Sequence, residues 1–382
     1  MAHTIPLQLV QEGEQVMRIC NACRYCEGFC AVFPAMERRH LLTATDLTYL
    51  ANLCHDCREC LYSCQYAPPH EFAVDVPKLM ASARRESYRR YAWPGALEWT
   101  FSRQWGVAAI AALLAPVLAV LFLLLFDQQG AATRAYQGPG TFYAVVPHRA
   151  MVGIFSALGL FVLVVCSAGA WRFSRDIATP GGPGRPGKPG RPGRPGGASA
   201  RDWMTGLRDA LTLRYLGGGG DGGGDGCAYP DEAASNARRR FHHLTFYGFL
   251  LCLAATTVAA FYENVLGSIA PYRLTSLPVV LGSLGGFGLL AGPAGLLWLK
   301  RDVPAEGFDA TQRPMDVAFL ALLMLTAATG FLVLAFRETA AMGTLLVTHL
   351  GVVAGLFVTM PYGKFVHGIY RTIALVRYAR ER

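Results

Sequence analysis

The sequence predicts an all-α protein, a six-transmembrane-helix bundle that carries a soluble head at its N-terminus. The mean hydropathy of the 382 residues is +0.30 and only 16% of them are charged, which is typical of a membrane protein with a polar appendage. Six apolar stretches are each about 20 residues long, the length with which an α-helix crosses ~30 Å of hydrocarbon. Residues 1–104 precede all six and contain eight of the 11 cysteines.

The predicted head, residues 1–104, contains one cysteine spacing twice. Both copies read C-x2-C-x2-C-x3-C, and their members are Cys20, Cys23, Cys26 and Cys30, then Cys54, Cys57, Cys60 and Cys64. Bacterial two-cluster ferredoxins bind [4Fe-4S] clusters with this spacing, and the fourth cysteine of each run ligates the other cluster. We therefore expect one cluster on Cys20, Cys23, Cys26 and Cys64, and a second on Cys54, Cys57, Cys60 and Cys30. The prediction is an α-helical, ferredoxin-like two-cluster iron–sulfur domain, in which Asp75 to Tyr91 forms a helix.

Zinc and disulfide bonds explain this spacing less well. Structural zinc sites combine two C-x2-C pairs, or one such pair with histidines, and do not need a third cysteine at the same two-residue spacing. Disulfides need an export signal, which we do not find between Met1 and Gln15. One departure from the ferredoxin pattern is that Ala31 and Gln65, rather than proline, follow the fourth cysteines.

The six apolar stretches lie near residues 105–126, 148–171, 243–262, 277–299, 315–336 and 343–362. They predict two first helices within 105–171, an inside loop at 172–240, and four helices with a basic C-terminal tail within 241–382. If the amino terminus is cytoplasmic, only four of the 35 basic residues lie in outside loops, namely Arg134, Arg149, Arg273 and Arg337. This asymmetry follows the positive-inside rule and places both termini in the cytoplasm. The net charge of +9 then reflects membrane topology, and we expect no nucleic-acid partner.

The inside loop is predicted to be flexible and cationic. Pro-Gly-Arg/Lys triplets recur from Pro180 to Gly197, and a glycine run extends from Gly217 to Gly226. A helix suited to the membrane surface is predicted between these tracts from the spacing of Trp203, Leu207, Ala210, Leu211 and Tyr215. Cys227 follows the glycines, and the sequence leaves open an ordinary thiol or a redox or ligand role.

The fourth apolar stretch contains a dinucleotide-like pattern, G-x-G-x-x-A, from Gly286 to Ala291. That fingerprint needs a preceding strand, whereas here it lies inside an apolar helix. Small residues at four-residue steps instead predict close packing between helices. No G-x4-GK[ST] phosphate loop occurs either, so the sequence offers no flavin or nucleotide site.

Five histidines are candidate haem ligands: His349, His367, His148, His243 and His242. The 18 residues between His349 and His367 make five helical turns, so on one unbroken helix both rings would share a face about 27 Å apart. The topology pairs His148 with His349 on the outer side, and His243 or His242 with His367 on the inner side. One or two haem b groups are therefore expected. Ordinary headgroup-level histidines are the alternative, and Pro361 would break the helix.

The segments Cys20–Pro34, Leu53–Cys57 and Gln65–Phe72 resemble the tricarballylate-utilization protein B family, also described as citrate-utilization protein B. The membrane part is similar in Arg239–His243, Ala270–Tyr272 and Pro361–Gly368, whereas the Pro-Gly-Arg tract departs from the family pattern. The resemblance implies that the eight cysteines are cluster ligands. It also implies a partner, a cytoplasmic FAD-dependent tricarballylate dehydrogenase, whose reduced flavin this protein reoxidises.

The expected function is that of an electron-transfer subunit in the bacterial inner membrane, which passes electrons from this flavoprotein to membrane quinone. It would be a component of an oxidoreductase complex rather than the dehydrogenase, and no catalytic residue is assigned. The alternatives are a membrane-anchored redox sensor and a protein associated with citrate or tricarballylate transport. The spans hold no carboxylate at mid-depth, which argues against a proton-pumping relay.

Overall fold

The computed structural model describes residues 5–39, 41–97, 130–178, 197–219, 223–301, 303 and 312–382, together with short pieces between 116 and 125. Apart from those pieces, the first predicted span, 105–126, lies outside the described residues, as does most of the Pro-Gly-Arg tract. The regular secondary structure of the described chain consists of helices and one antiparallel two-stranded hairpin, formed by β1 (Cys227–Ala228) and β2 (Ala234–Ser235). The predicted α class is therefore confirmed for this part of the chain.

Five α-helices lie in the described part of the head: α1 (Leu7–Cys23), α2 (Val32–Glu37), α3 (Ala44–Leu53), α4 (Glu59–Tyr62) and α5 (Val76–Tyr91). Side-chain caps fix the starts of the two longer central helices. Thr43 and Asp46 form a capping box at α3. Asp75 accepts a hydrogen bond from the backbone N–H of Lys78 at 2.9 Å, so α5 begins where the sequence predicts.

The described residues after the head form eight further helices: α6 (Thr141–Val145), α7 (His148–Ala178), α8 (Ala200–Leu211), α9 (Ala237–Asn264), α10 (Leu277–Leu299), α11 (Arg313–Phe336), α12 (Met342–Thr359) and α13 (Val366–Glu381), apart from the short pieces between 116 and 125. Among the described residues, five segments are long and apolar enough to cross a membrane: α7, α9, α10, α11 and the segment that begins with α12. They correspond to the second to sixth predicted spans. The protein is thus a membrane protein, and a sixth span stays a prediction.

The last membrane segment is interrupted, which changes one expectation from the sequence. A short 3₁₀ turn, Met360–Tyr362, contains Pro361 and separates α12 from α13. Because α13 is a separate helix, the five-turn spacing of His349 and His367 does not place them on one helical face. The predicted C-terminal tail is this helix, and its buried Tyr370, Ala374 and Tyr378 belong to the core of the head.

The head is joined to the membrane helices by a continuous core. The Tyr91 ring lies 5.3 Å from the Phe173 ring of α7 and 6.0 Å from the Tyr370 ring of α13, measured between centroids. Arg90 adds an ion pair with Asp176 at 2.7 Å. The cysteine motifs are consequently held against the ends of the membrane helices.

The described part of the inside loop is folded, although the sequence predicts a flexible loop. The predicted helix near Trp203 is α8, which starts with a Ser199–Asp202 capping box. It packs on α13 where Gly206 meets Val376; an added Cβ at Gly206 would lie 2.7 Å from the Val376 backbone nitrogen. Trp203 and Met204 of α8 are exposed.

The glycines of α10 serve helix packing, as the sequence predicts. A Cβ on Gly288 would lie 2.7 Å from the Leu244 carbonyl oxygen of α9, and one on Gly292 would lie 2.5 Å from the Thr245 nitrogen. Only hydrogen fits at these positions, so α9 and α10 pack with their backbones close together. The segment lies within helix α10, without the strand that a nucleotide fingerprint requires.

Candidate iron–sulfur site

The first cysteine motif is built where α1 ends. Cys20 and Cys23 lie in the last turn of α1, and Arg24 adopts the left-handed conformation (φ 56°) with its N–H bonded to the Cys20 carbonyl oxygen. This turn reverses the chain immediately before Cys26. Three thiols two residues apart therefore come from one helix end and the turn after it.

A cavity of about 290 Å³ is lined by the thiols of this motif together with one from the second. Its lining includes Cys20, Cys23, Cys26 and Cys64. Burial, and then the charges of Cys26, Cys64 and Cys23, raise the pKa of Cys20 to about 12. Thiolates so crowded repel one another unless a cation neutralises them, which is the condition that an iron–sulfur cluster meets.

The second motif lies between α3 and the segment after α4. Cys54 follows α3 directly, Cys57 stands between two left-handed residues, Asp56 (φ 55°) and Arg58 (φ 65°), and Cys60 lies in α4. Burial, and then the charges of Cys57 and Cys54, raise the pKa of Cys30 well above its ordinary value. Burial, and then the charges of Cys57, Cys30 and Cys54, also raise the pKa of Cys60 well above its ordinary value.

The eight predicted ligands are thus brought together as two neighbouring groups. The first group is Cys20, Cys23, Cys26 and Cys64; the second group is Cys30, Cys54, Cys57 and Cys60. These are the sets that ligand exchange between the motifs predicts. Cys30, Cys54 and Cys57 are buried, whereas all members of the first group are partly exposed. The residues fit two thiolate-ligated clusters, and cluster binding itself stays a prediction.

Three arginines that the sequence analysis missed surround the second group. Arg84 of α5 donates to the Cys54 carbonyl oxygen at 2.6 Å, and Arg371 of α13 donates to the same oxygen. Arg238 of α9 donates to the carbonyl oxygens of His55, at 3.0 Å, and Asp56. They fix the loop and place positive charge beside thiolates, so they suit a negatively charged cluster.

Cys227 also lies at the second group, although it is distant in sequence. It is 1% exposed, and the ligand atoms of His55, Cys57 and Cys227 all lie within 4.8 Å of one another. The Nε2–H of His55 donates to the Tyr215 carbonyl oxygen at 2.6 Å. The structure therefore places Cys227 at the predicted cluster site, a location that spacing alone does not reveal.

Two of the five candidate haem ligands meet one helical turn beyond these arginines. His242 follows Arg238 by four residues on α9, His367 precedes Arg371 by four on α13, and their ring centroids are 6.0 Å apart. The Nδ1–H of His367 donates to the Lys364 carbonyl oxygen, which leaves its Nε2 lone pair available to a metal. A metal ion between the two rings would have two imidazole ligands.

The other three histidines have different neighbours. His243 packs on Tyr247, at 5.6 Å between ring centroids, so His242 is the one that faces His367. His349 lies in α12 with its Nδ1 2.9 Å from the Thr329 hydroxyl of α11. His148, at the start of α7, has its Nε2 3.5 Å from a Glu263 carboxylate oxygen.

Comparison with known proteins agrees with the cysteine-rich head and the membrane part. Residues 13–90 match the model of the citrate utilization protein B Fer4-like domain, and residues 101–382 match that of citrate utilization protein B. Citrate utilization protein B of Escherichia coli is 49% identical over 373 residues, which cover 97% of this chain and 92% of the relative. No solved structure matches. The Fer4-like match indicates an iron–sulfur electron-transfer role, and the chain belongs to the citrate utilization protein B family.

Proposed function

We propose that the protein is a membrane electron-transfer subunit that reoxidises the reduced flavin of a cytoplasmic FAD-dependent tricarballylate dehydrogenase. Two [4Fe-4S] clusters on the head would accept the electrons, which would finally reduce quinone in the bacterial inner membrane. The observation that carries the proposal is the pair of neighbouring thiol groups: all members of the first are partly exposed, whereas the second has three buried members and a loop that bonds to α9 and α13. Both termini would be cytoplasmic.

The surface around the first group suits a protein partner. Tyr25 lines the cavity and is 67% exposed; Phe72, which packs on the lining residue Tyr66, is 45% exposed. Exposed aromatic side chains are typical anchors of protein interfaces. Since the sequence contains no flavin or nucleotide motif, the flavin belongs to the partner, and the first group is the natural point of electron entry.

The second group supports transfer towards the membrane. Its loop is held by Arg238 and Arg371, which lie on the helices that also carry His242 and His367. These two histidines would hold one haem b, whose iron supplies a further one-electron site. His349 and His148 support an outer haem less well, because the Nε2 of His148 already faces Glu263.

The proposed function is tested with the partner flavoprotein. The chain is purified without oxygen and reconstituted in liposomes that contain quinone, and the dehydrogenase is reduced beforehand with tricarballylate. We expect rapid flavin reoxidation with formation of one quinol per flavin, and we expect a Cys20→Ala chain to lose it. If the flavin reoxidises equally slowly with and without the chain, the proposed function is wrong.

The inner haem is tested with substitutions of His242 on α9 and His367 on α13. We expect His242→Ala and His367→Ala to lose the reduced-minus-oxidised absorbance of about one haem b per chain, because each removes one of the two imidazoles that would hold the iron. The matched control is His243→Ala, which alters the adjacent residue that packs on Tyr247 and should retain the spectrum. Equal loss in all three variants, or no haem in the unmodified chain, would contradict this assignment.

A further inference from the structure

A fifth thiol is buried at the second group, in addition to the four that a [4Fe-4S] cluster needs. Cys227 comes from strand β1, beyond the first membrane helices, and packs with Cys57 and Leu216. Its sulfur lies within 4.8 Å of the Cys57 sulfur. Because Cys30, Cys54, Cys57 and Cys60 already supply one thiolate for each iron, Cys227 is not required as a ligand.

The folded part of the inside loop holds Cys227 in this place. Cys227 pairs with Ser235 in the hairpin. The preceding residue, Gly226, has φ 110°, and a Cβ there would lie 2.2 Å from the Ser235 carbonyl carbon. On the other side, Arg238 lies in the first turn of α9 and donates to the backbone of the Cys57 loop. The thiol is therefore fixed against the motif by the fold.

The hydrogen of the Cys227 thiol has two neighbouring acceptors. One is the Tyr215 carbonyl oxygen, 3.6 Å from the sulfur, which already accepts from His55 at 2.6 Å. The other is the sulfur of Cys57, which as a metal ligand is a thiolate and can only accept. A charged acceptor forms the stronger hydrogen bond, which favours Cys57 over Tyr215 when Cys57 is a ligated thiolate.

We propose that Cys227 is a positioning residue of the second cluster, whose S–H donates a hydrogen bond to the Cys57 thiolate and makes that cluster easier to reduce. The proposal rests on the proposed function only in taking Cys57 as a cluster ligand. Reduction adds one electron, with no bond broken and no proton transferred, and the added negative charge is shared with the ligand sulfurs. A donor at one sulfur stabilises the reduced form more than the oxidised form and raises the reduction potential.

The test is a redox titration of the full chain, followed by EPR, with iron and sulfide measured on the same samples. In Cys227→Ala we expect unchanged iron and a reduced-to-oxidised ratio of the second cluster that is about tenfold lower at fixed potential, a shift of ~59 mV for one electron. Cys227→Ser keeps a donor and should stay close to the unmodified protein. Cys252→Ala, in membrane helix α9, is the control, and the first cluster is an internal reference.

Two outcomes overturn the inference. If Cys227→Ala retains its iron and its potential, the thiol hydrogen is directed to Tyr215. If Cys227→Ala and Cys227→Ser both lose about four iron per chain, Cys227 is a ligand rather than a donor. Both outcomes differ from failure of the proposed function, in which the unmodified chain itself would lack a second cluster or would not oxidise the flavoprotein.

Discussion

Cys64→Ala is expected to remove the same cluster as Cys26→Ala, although the two cysteines belong to different motifs. Cys64 lines the cavity with Cys20, Cys23 and Cys26, so its loss leaves that set with three thiolates. By the same argument, Cys30→Ala should remove the same cluster as Cys57→Ala. Each variant is expected to retain about four of the roughly eight non-haem iron atoms per chain and to lose quinone reduction.

The measurement is iron and sulfide analysis with EPR of chains purified without oxygen. Cys26→Ala and Cys57→Ala first assign one EPR signal to each cluster, and Cys64→Ala and Cys30→Ala are then compared with them. Cys166→Ala, in membrane helix α7, is the control and should retain both signals. If Cys64→Ala matches Cys57→Ala instead, each motif binds its own cluster and the exchange is wrong. Zinc in place of iron would reject both clusters.

Much of the fold could be predicted because its signals are local in sequence. The length of its apolar stretch predicts α10, which the structure shows at the predicted bounds, Leu277–Leu299. The Asp75 cap and the 3.6-residue periodicity give α5, and the repeated cysteine spacing gives the thiol-bearing turns. Each of these features depends on residues within a few helical turns of one another, so a single sequence is sufficient to find it.

The remaining features of the site depend on contacts between distant segments. Cys227 is separated from Cys57 by two predicted spans and the long inside loop, so no spacing rule relates them. Arg238 and Arg371 occur in basic segments whose charge indicates topology equally well. Their four-residue distance from His242 and His367 is a signal that sequence analysis could have used, since it predicts one shared helical face. Only the structure shows that His242, rather than the adjacent His243, faces His367.

Asp316→Asn is expected to lower the free energy of unfolding by about 3–5 kcal/mol, because it removes the charge that two lysines share. The carboxylate lies 2.8 Å from both the Lys300 and the Lys364 ammonium nitrogens. All three side chains are at most 19% exposed, so water screens the remaining charges poorly. Denaturant unfolding in detergent micelles measures the loss. Glu14→Gln, which breaks an exposed pair with Arg18 at 3.4 Å, is the control and should cost under about 0.5 kcal/mol.

The same substitution also tests whether this ion cluster positions the inner histidine. Lys364 binds Asp316 through its ammonium and accepts the Nδ1–H of His367 through its carbonyl oxygen. A displaced Lys364 would therefore turn the His367 ring, so the haem b spectrum should change in Asp316→Asn and not in Glu14→Gln. Adding Lys300→Met to Asp316→Asn removes one uncompensated charge and should recover part of the lost stability. A loss below about 1 kcal/mol, or no recovery in the double variant, would mean that water already neutralises the lysines.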